Sequence, residues 1–200
     1  MKNFLFFKIM LFVALLGLIL FSALFALYIY NVSQKYKLSE NLAQSFSLSY
    51  LYSNSLSYST NFTNNKINSE SEPFVIGIIK IDKLKLDYPI LSNVSDELLE
   101  IAPCRFAGPM PNEIGNLCIA GHNYIDNTFF AKISSLEDGD KIEIYGINGD
   151  LKIYSVYDKR EIDSLDFSCT SQETNGKRII TLMTCNSIKK TRIIVCAEEI

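Results

Sequence analysis

Hydrophobic positions along the chain fall into two regimes. From Ile9 to Tyr30 they run on with no charged residue among them. Such a run is long enough for a helix to cross a hydrocarbon core about 30 Å thick. A cleavable leader has a shorter apolar core, about 7–15 residues, that ends in small residues. Ser22-Ala23-Leu24-Phe25-Ala26 is a poor version of that ending, and apolar residues continue past it. The pattern predicts a retained transmembrane helix over 9–30, behind a short N-terminus of residues 1–8. Lys2 and Lys8 precede the span and Lys35 and Lys37 follow it, so charge does not orient it. Past Asn31 the pattern changes. Leu38, Leu42 and Phe46 recur four apart, which predicts continued helix over Lys35 to Leu51. Ser53 to Glu72 is rich in Ser and Asn and reads as a flexible tether. Residues 31–72 are thus a linker, part helical. As a coil it spans about 35 Å root-mean-square, enough to hold a domain off a membrane without fixing its direction.

From Pro73 the apolar positions come in short runs separated by turn signals. Phe74 to Ile81 is rich in β-formers. Leu86 to Leu91 is a second strand, and Pro89 assigns it to an edge. Asp96 to Ile101 makes one or two helical turns with Ser95 as N-cap. Gly108 to Asn112 is a loop, and Leu117 to Ala120 a buried strand that ends at Gly121-His122. Phe129, Phe130, Ile133 and Leu136 predict a short amphipathic helix. Asp138-Gly139-Asp140 turns the chain into a strand over Lys141 to Tyr145, and Asn148-Gly149 is a hairpin signal before another at Leu151 to Tyr157. Arg160 to Gly176 is a long polar connection with a helical turn around Ile162 to Phe167. Lys177 to Thr184 and Thr191 to Glu198 complete the sheet. Many short strands with only short helices between them predict an all-β domain over 73–200, closed or nearly closed into a barrel.

Composition narrows the function. The net charge is −3, without a basic stripe, which argues against a nucleic-acid partner. The cysteines are Cys104, Cys118, Cys169, Cys185 and Cys196, an odd number that leaves at least one unpaired. One histidine and no Cys-x-x-Cys exclude the common zinc spacings, so no metal ligands are assigned. Cys118 and Cys196 sit in apolar strand-like runs and read as small buried hydrophobes.

Cys185 differs. It closes the β-rich run Ile179 to Cys185, and the turn formers Asn186 and Ser187 follow. A thiol where a stiff strand ends is held firmly yet can face a cleft. If a loop then returns antiparallel, Arg192 comes back beside Cys185. The thiolate is the reactive form, and nearby positive charge favours it. His122, the single histidine, can move a proton, whereas Arg192 supplies charge and donors only. No acidic partner for His122 is identifiable; Asp126 is merely near in sequence. Each residue alone has a plainer reading: a strand cysteine, a packing histidine, a surface ion pair. Cys118 is the rival nucleophile, on one strand face with Ala120 and His122, but it lacks the exit turn and the arginine.

At these residues the chain resembles a known family. Thr181-Leu182-Met183-Thr184-Cys185 resembles the Thr-Leu-x-Thr-Cys signature of sortases. Ala120-Gly121-His122-Asn123 is similar to the segment that carries their histidine, and Thr191 to Val195 to the one that carries their arginine. The likeness covers roughly Phe74 to Ile200, with order and spacing matched. It implies the closed eight-stranded sortase-like barrel, preceded by one N-terminal transmembrane helix. It implies a membrane-anchored cysteine transpeptidase, single-pass, with its catalytic domain outside the cell. The implied catalytic set is His122, Cys185 and Arg192, with Thr184 and Ala120 toward the substrate. The implied partners are surface proteins that bear a Leu-Pro-x-Thr-Gly-like sorting signal, an amine acceptor on peptidoglycan precursor or pilin, and membrane lipid. No cofactor is implied. Calcium, which some members bind near the histidine-bearing strand, is poorly supported, because Gly108 to Asn116 offers only Glu113. The short helix after His122 and the lack of a large insertion before Cys185 look closer to housekeeping-type or class D/E sortases than to class B. The Arg160–Gly176 loop and Ala102 to Pro111 are the expected walls of the substrate groove. Two rivals remain: an extracellular thiol hydrolase of wall peptides, and a non-catalytic anchored surface module.

Overall fold

The computed structural model describes residues 2–56, 73–124, 127–186 and 188–200. The chain divides into two compact units, Met1–Leu38 and Ser39–Ile200.

The first unit lies within helix α1, Lys2–Leu56. Its side chains from Met10 to Tyr30 that are large and apolar stand exposed. By length and composition α1 is able to cross a membrane. A helix suits that setting because it satisfies its own backbone hydrogen bonds. The helix continues through the stretch expected from Lys35 to Leu51 and on to Leu56. The expected tether therefore starts at least four residues later than Ser53, and its remainder lies outside the described residues.

In the second unit eight strands close a barrel in the order β1-β2-β3-β4-β7-β8-β6-β5. They are β1 Val75–Ile81, β2 Leu86–Leu91, β3 Cys104–Ala107, β4 Gly115–Ala120, β5 Lys141–Gly146, β6 Leu151–Asp163, β7 Arg178–Asn186 and β8 Thr191–Glu199. Inward positions recur along most of the strands. Ile79, Ile90, Ile119, Ile144, Leu182 and Val195 are among those that meet in one buried core. β-Branched side chains dominate it, which suits a pleated surface packed on one side. Two strand pairs are parallel, β2 with β3 and β4 with β7.

Several boundaries differ from expectation for physical reasons. β2 is not an edge strand. Its ladder to β3, however, is the single pair Leu91↔Cys104. The Leu91 N–H reaches the Pro103 carbonyl on that side. Pro89, two residues back, turns its nitrogen to the same side, where no strand asks it for a proton. β3 itself was hidden because Cys-Arg-Phe-Ala is only four residues long, with Pro103 before it and Pro109 soon after. The expected helix at Phe129 to Leu136 is only a 3₁₀ turn, Ile133–Ser135. Phe129 has φ of 49° and cannot belong to a right-handed helix. Its apolar side chains are nonetheless all buried as the pattern required. The helical turn expected near Ile162 is strand at Ile162–Asp163 and is followed by a 3₁₀ turn at Ser168–Thr170. α2, Asp96–Leu99, is capped by Ser95, whose hydroxyl accepts from Leu98 N–H at 3.2 Å.

Candidate active site

Three adjacent strands carry the site. The parallel register of β4 and β7 pairs Cys118 with Thr181 and Ala120 with Met183. The antiparallel register of β7 and β8 pairs Thr181 with Cys196, Met183 with Ile194 and Cys185 with Arg192. The outer face of the sheet is thus built in rows. The first row is Cys118, Thr181, Cys196, and the second is Ala120, Met183, Ile194. Cys185 and Arg192 begin the third, and His122, two residues past Ala120, reaches toward it from β4. Paired residues share a face, so register sets Cys185 beside Arg192, and the segment that follows β4 brings His122 to the same place. All three line one cleft of about 290 Å³.

The first row is sealed, and Met183 and Ile194 of the second are buried. Cys118, Cys169, Met183, Ile194 and Cys196 form a second buried cluster under the β6–β7 connection. Asn116 and Gln172 fasten that connection to β4. Asn116 Nδ2 donates to the Cys169 and Ser171 carbonyls at 2.9 and 3.1 Å. The Gln172 amide accepts from Asn116 N–H at 3.0 Å and donates to its carbonyl at 2.9 Å. Burial pushes the thiols of Cys118 and Cys104 up to about 12, and Cys169 upward as well. Cys118 is 0% exposed and is no nucleophile in this fold. Cys185 is the exposed thiol of the five. The sequence placed it at a strand exit, but β7 runs one residue beyond it, to Asn186.

Hydrogen bonds lock the histidine segment to β7. Gly121 N–H donates to the Met183 carbonyl at 3.1 Å and extends the parallel ladder past Ala120. Thr184 Oγ1 donates to the Gly121 carbonyl at 2.6 Å. Asn123 Nδ2 donates to the Cys185 carbonyl at 2.9 Å. The imidazole of His122 lies 4.8 Å from the Tyr124 ring at 40°. Gly121 sits where a Cβ would come within 2.7 Å of the Phe130 ring. Asp126 lies outside the described residues.

Of the predicted substrate contacts, Ala120 and Thr184 both line the cleft. Thr184 is buried, and its hydroxyl proton is committed to Gly121. Of the expected walls, Ala102 to Pro111 contributes to the cleft, whereas no residue of the Arg160–Gly176 loop is among those that line it. Phe106 of β3 lines the cleft, with Val94 and Leu99 near α2. From the β6–β7 connection Phe167 stacks on Phe106, ring centroids 6.0 Å apart. In the sequence Val94 and Leu99 have no assigned role, and Gly121 and Asn123 figure only as flanks of the histidine. Asn123 had a weak signal, since it directly follows the histidine. Among the described residues no group of three or more His, Cys, Asp or Glu side chains is placed to hold a metal ion. Glu113 accepts from Met110 N–H at 3.2 Å within its own loop.

Comparison with known proteins decides the family. The sortase domain profile matches residues 79–200. The chain belongs to the sortase family. This sortase is 32% identical over 116 residues to sortase A of Bacillus anthracis, a match that covers 58% of this chain and 54% of the relative. It therefore spans about half the length of that relative. A Clostridium perfringens sortase D5 transpeptidase shares 26% identity at a TM-score of 0.61, covering 82% of this sortase and 96% of the other chain. A C. perfringens sortase C, solved with the C-terminal cell wall sorting motif, shares the fold at 20% identity and a TM-score of 0.58, covering 80% and 88%.

Proposed function

We propose that this sortase is a membrane-anchored cysteine transpeptidase that cuts a Leu-Pro-x-Thr-Gly-like sorting signal and joins the new carboxyl end to an amine of the cell wall or of a pilin. The observation that carries the reading is the third row: the exposed thiol stands opposite an arginine, with the single histidine lining the same cleft. The thiolate of Cys185 attacks the scissile carbonyl carbon and a tetrahedral oxyanion forms. Arg192 donates N–H groups to that oxyanion or to the bound peptide. As the intermediate collapses, the C–N bond breaks and His122 protonates the departing amine. A thioester to Cys185 remains. The incoming amine attacks it, His122 takes up the proton released, and the thiolate leaves. No carboxylate beside His122 is needed if the imidazole acts chiefly as a charged donor. The helix over 9–30 anchors the chain, and its substrates place the barrel on the outer side of the membrane.

The test uses the full chain in detergent with a sorting-signal peptide library and an amine acceptor. Peptide cleaved and transferred to the amine supports the reading; hydrolysis indifferent to added amine supports a hydrolase instead. Cys185→Ala should abolish both steps while Cys118→Ala retains them. His122→Ala should lose well over tenfold, and a smaller loss removes it from the mechanism.

A further inference from the structure

The Arg192 guanidinium carbon lies 4.7 Å from the centroid of the Phe167 ring, over its face. Phe167 in turn stacks parallel to Phe106, with 1° between the planes. The ring is presented by an anchored segment. The Phe167 carbonyl accepts from Thr170 N–H at 3.0 Å and from Thr170 Oγ1 at 2.8 Å. Asp166 Oδ1 accepts from Ser168 N–H at 2.8 Å, and Cys169, two residues on from Phe167, is the buried residue of the loop that Asn116 and Gln172 fasten down. Two of the three other arginines are held by carboxylates: Arg160 faces Asp158 and Arg178 faces Glu199. Among the described residues Arg192 has no such carboxylate.

The difference is chemical. A carboxylate would neutralise the guanidinium and occupy its in-plane N–H edges. An aromatic face attracts the cation through its quadrupole, restricts a long side chain, and leaves those edges unoccupied. We propose that Phe167 is the positioning residue of Arg192, holding the guanidinium by its face so that charge and donors stay available to the substrate carbonyl. The proposal rests on the role given to Arg192 above.

The experiment measures kcat and KM of amine transfer by the full chain, with Phe167→Leu, Phe167→Trp, and mono- and pentafluorinated phenylalanine built in at position 167. Phe167→Leu should lower kcat/KM about fivefold. The loss should appear in the same parameter, kcat or KM, that Arg192→Lys changes. Phe167→Trp should stay within twofold of the parent, and fluorination should lower kcat/KM stepwise at nearly constant ring size. A merely structural ring would be insensitive to fluorination. Pentafluorophenylalanine with parent activity overturns the proposal, and so does Phe167→Leu within twofold of the parent. Arg192→Ala separates the two levels. If it is inactive while the Phe167 variants are not, only the positioning role falls; if it retains parent activity, the assignment of Arg192 falls and takes Phe167 with it.

Discussion

Gly121 lines the cleft where no space is left for a side chain. A methyl group there would meet the Phe130 ring at 2.7 Å, and Phe130 is fully buried with no room to retreat. Gly121→Ala should therefore cost about 1–3 kcal/mol of stability by overpacking. It should reduce transfer further, since His122 is the next residue; denaturant unfolding and initial rates measure the two effects. The sequence made His122, Cys185 and Arg192 legible because residue type and motif carried the information; strand register and the bonds that hold the histidine segment to β7 then supplied the meeting. The contacts of Asn123 and Phe167 escaped it. A side chain that bonds a backbone carbonyl 62 residues away, or a ring that covers a guanidinium across a loop, leaves no periodic trace in a sequence.

The β7–β8 turn is tied down from β6. Glu161 accepts from Thr191 Oγ1, from Asn186 Nδ2 at 3.0 Å and from Lys189 Nζ at 2.9 Å. The Thr191 hydroxyl first, and then Lys189, hold the Glu161 carboxyl below its ordinary value of 4.5. Its contribution is complete above that value and is lost as pH falls through the lower value of the folded state. Hydrogen exchange in the turn should accelerate, relative to the core strands, as the pH drops below about 4.5. Glu161→Gln should remove that dependence; a turn equally protected in both proteins across the acid range would contradict it. The outer half of β6 was read as loop for a related reason. Past Tyr157 its residues are largely exposed and the alternation fades. Pairing with β8 from Asp158 to Asp163, beyond a register shift, keeps it a strand without much burial.

At the scale of the whole molecule, the loop between β3 and β4 reaches across the barrel to fasten its far strands. Asn112 is buried with φ of 65°. Its Nδ2 donates to the Ile144 and Asp150 carbonyls at 3.1 and 2.7 Å. Its Oδ1 accepts from Tyr154 OH at 3.2 Å, and its carbonyl accepts from Arg178 Nε at 2.8 Å. Asn112→Ala would orphan buried partners on β5 and β6 and put a methyl side chain in left-handed backbone. A loss of about 2–4 kcal/mol is expected by denaturant unfolding, with the exposed cleft otherwise unchanged. The all-β class, the closed barrel and the apolar helix were legible from alternation and run length. Strand order was not, because the parallel contact of β4 with β7 spans two intervening strands and reflects register between distant segments rather than any local pattern.

The sealing of four thiols beneath loops and core gives the folded chain a chemical stoichiometry. A bulky chromogenic disulfide reagent should consume one equivalent per native molecule, at Cys185, and five after denaturation. On the proposed mechanism, titration before and after adding a sorting-signal peptide then counts how many molecules hold substrate as thioester, with no label on the enzyme. A second equivalent consumed as fast as the first would mean that the barrel opens on the time scale of the reagent.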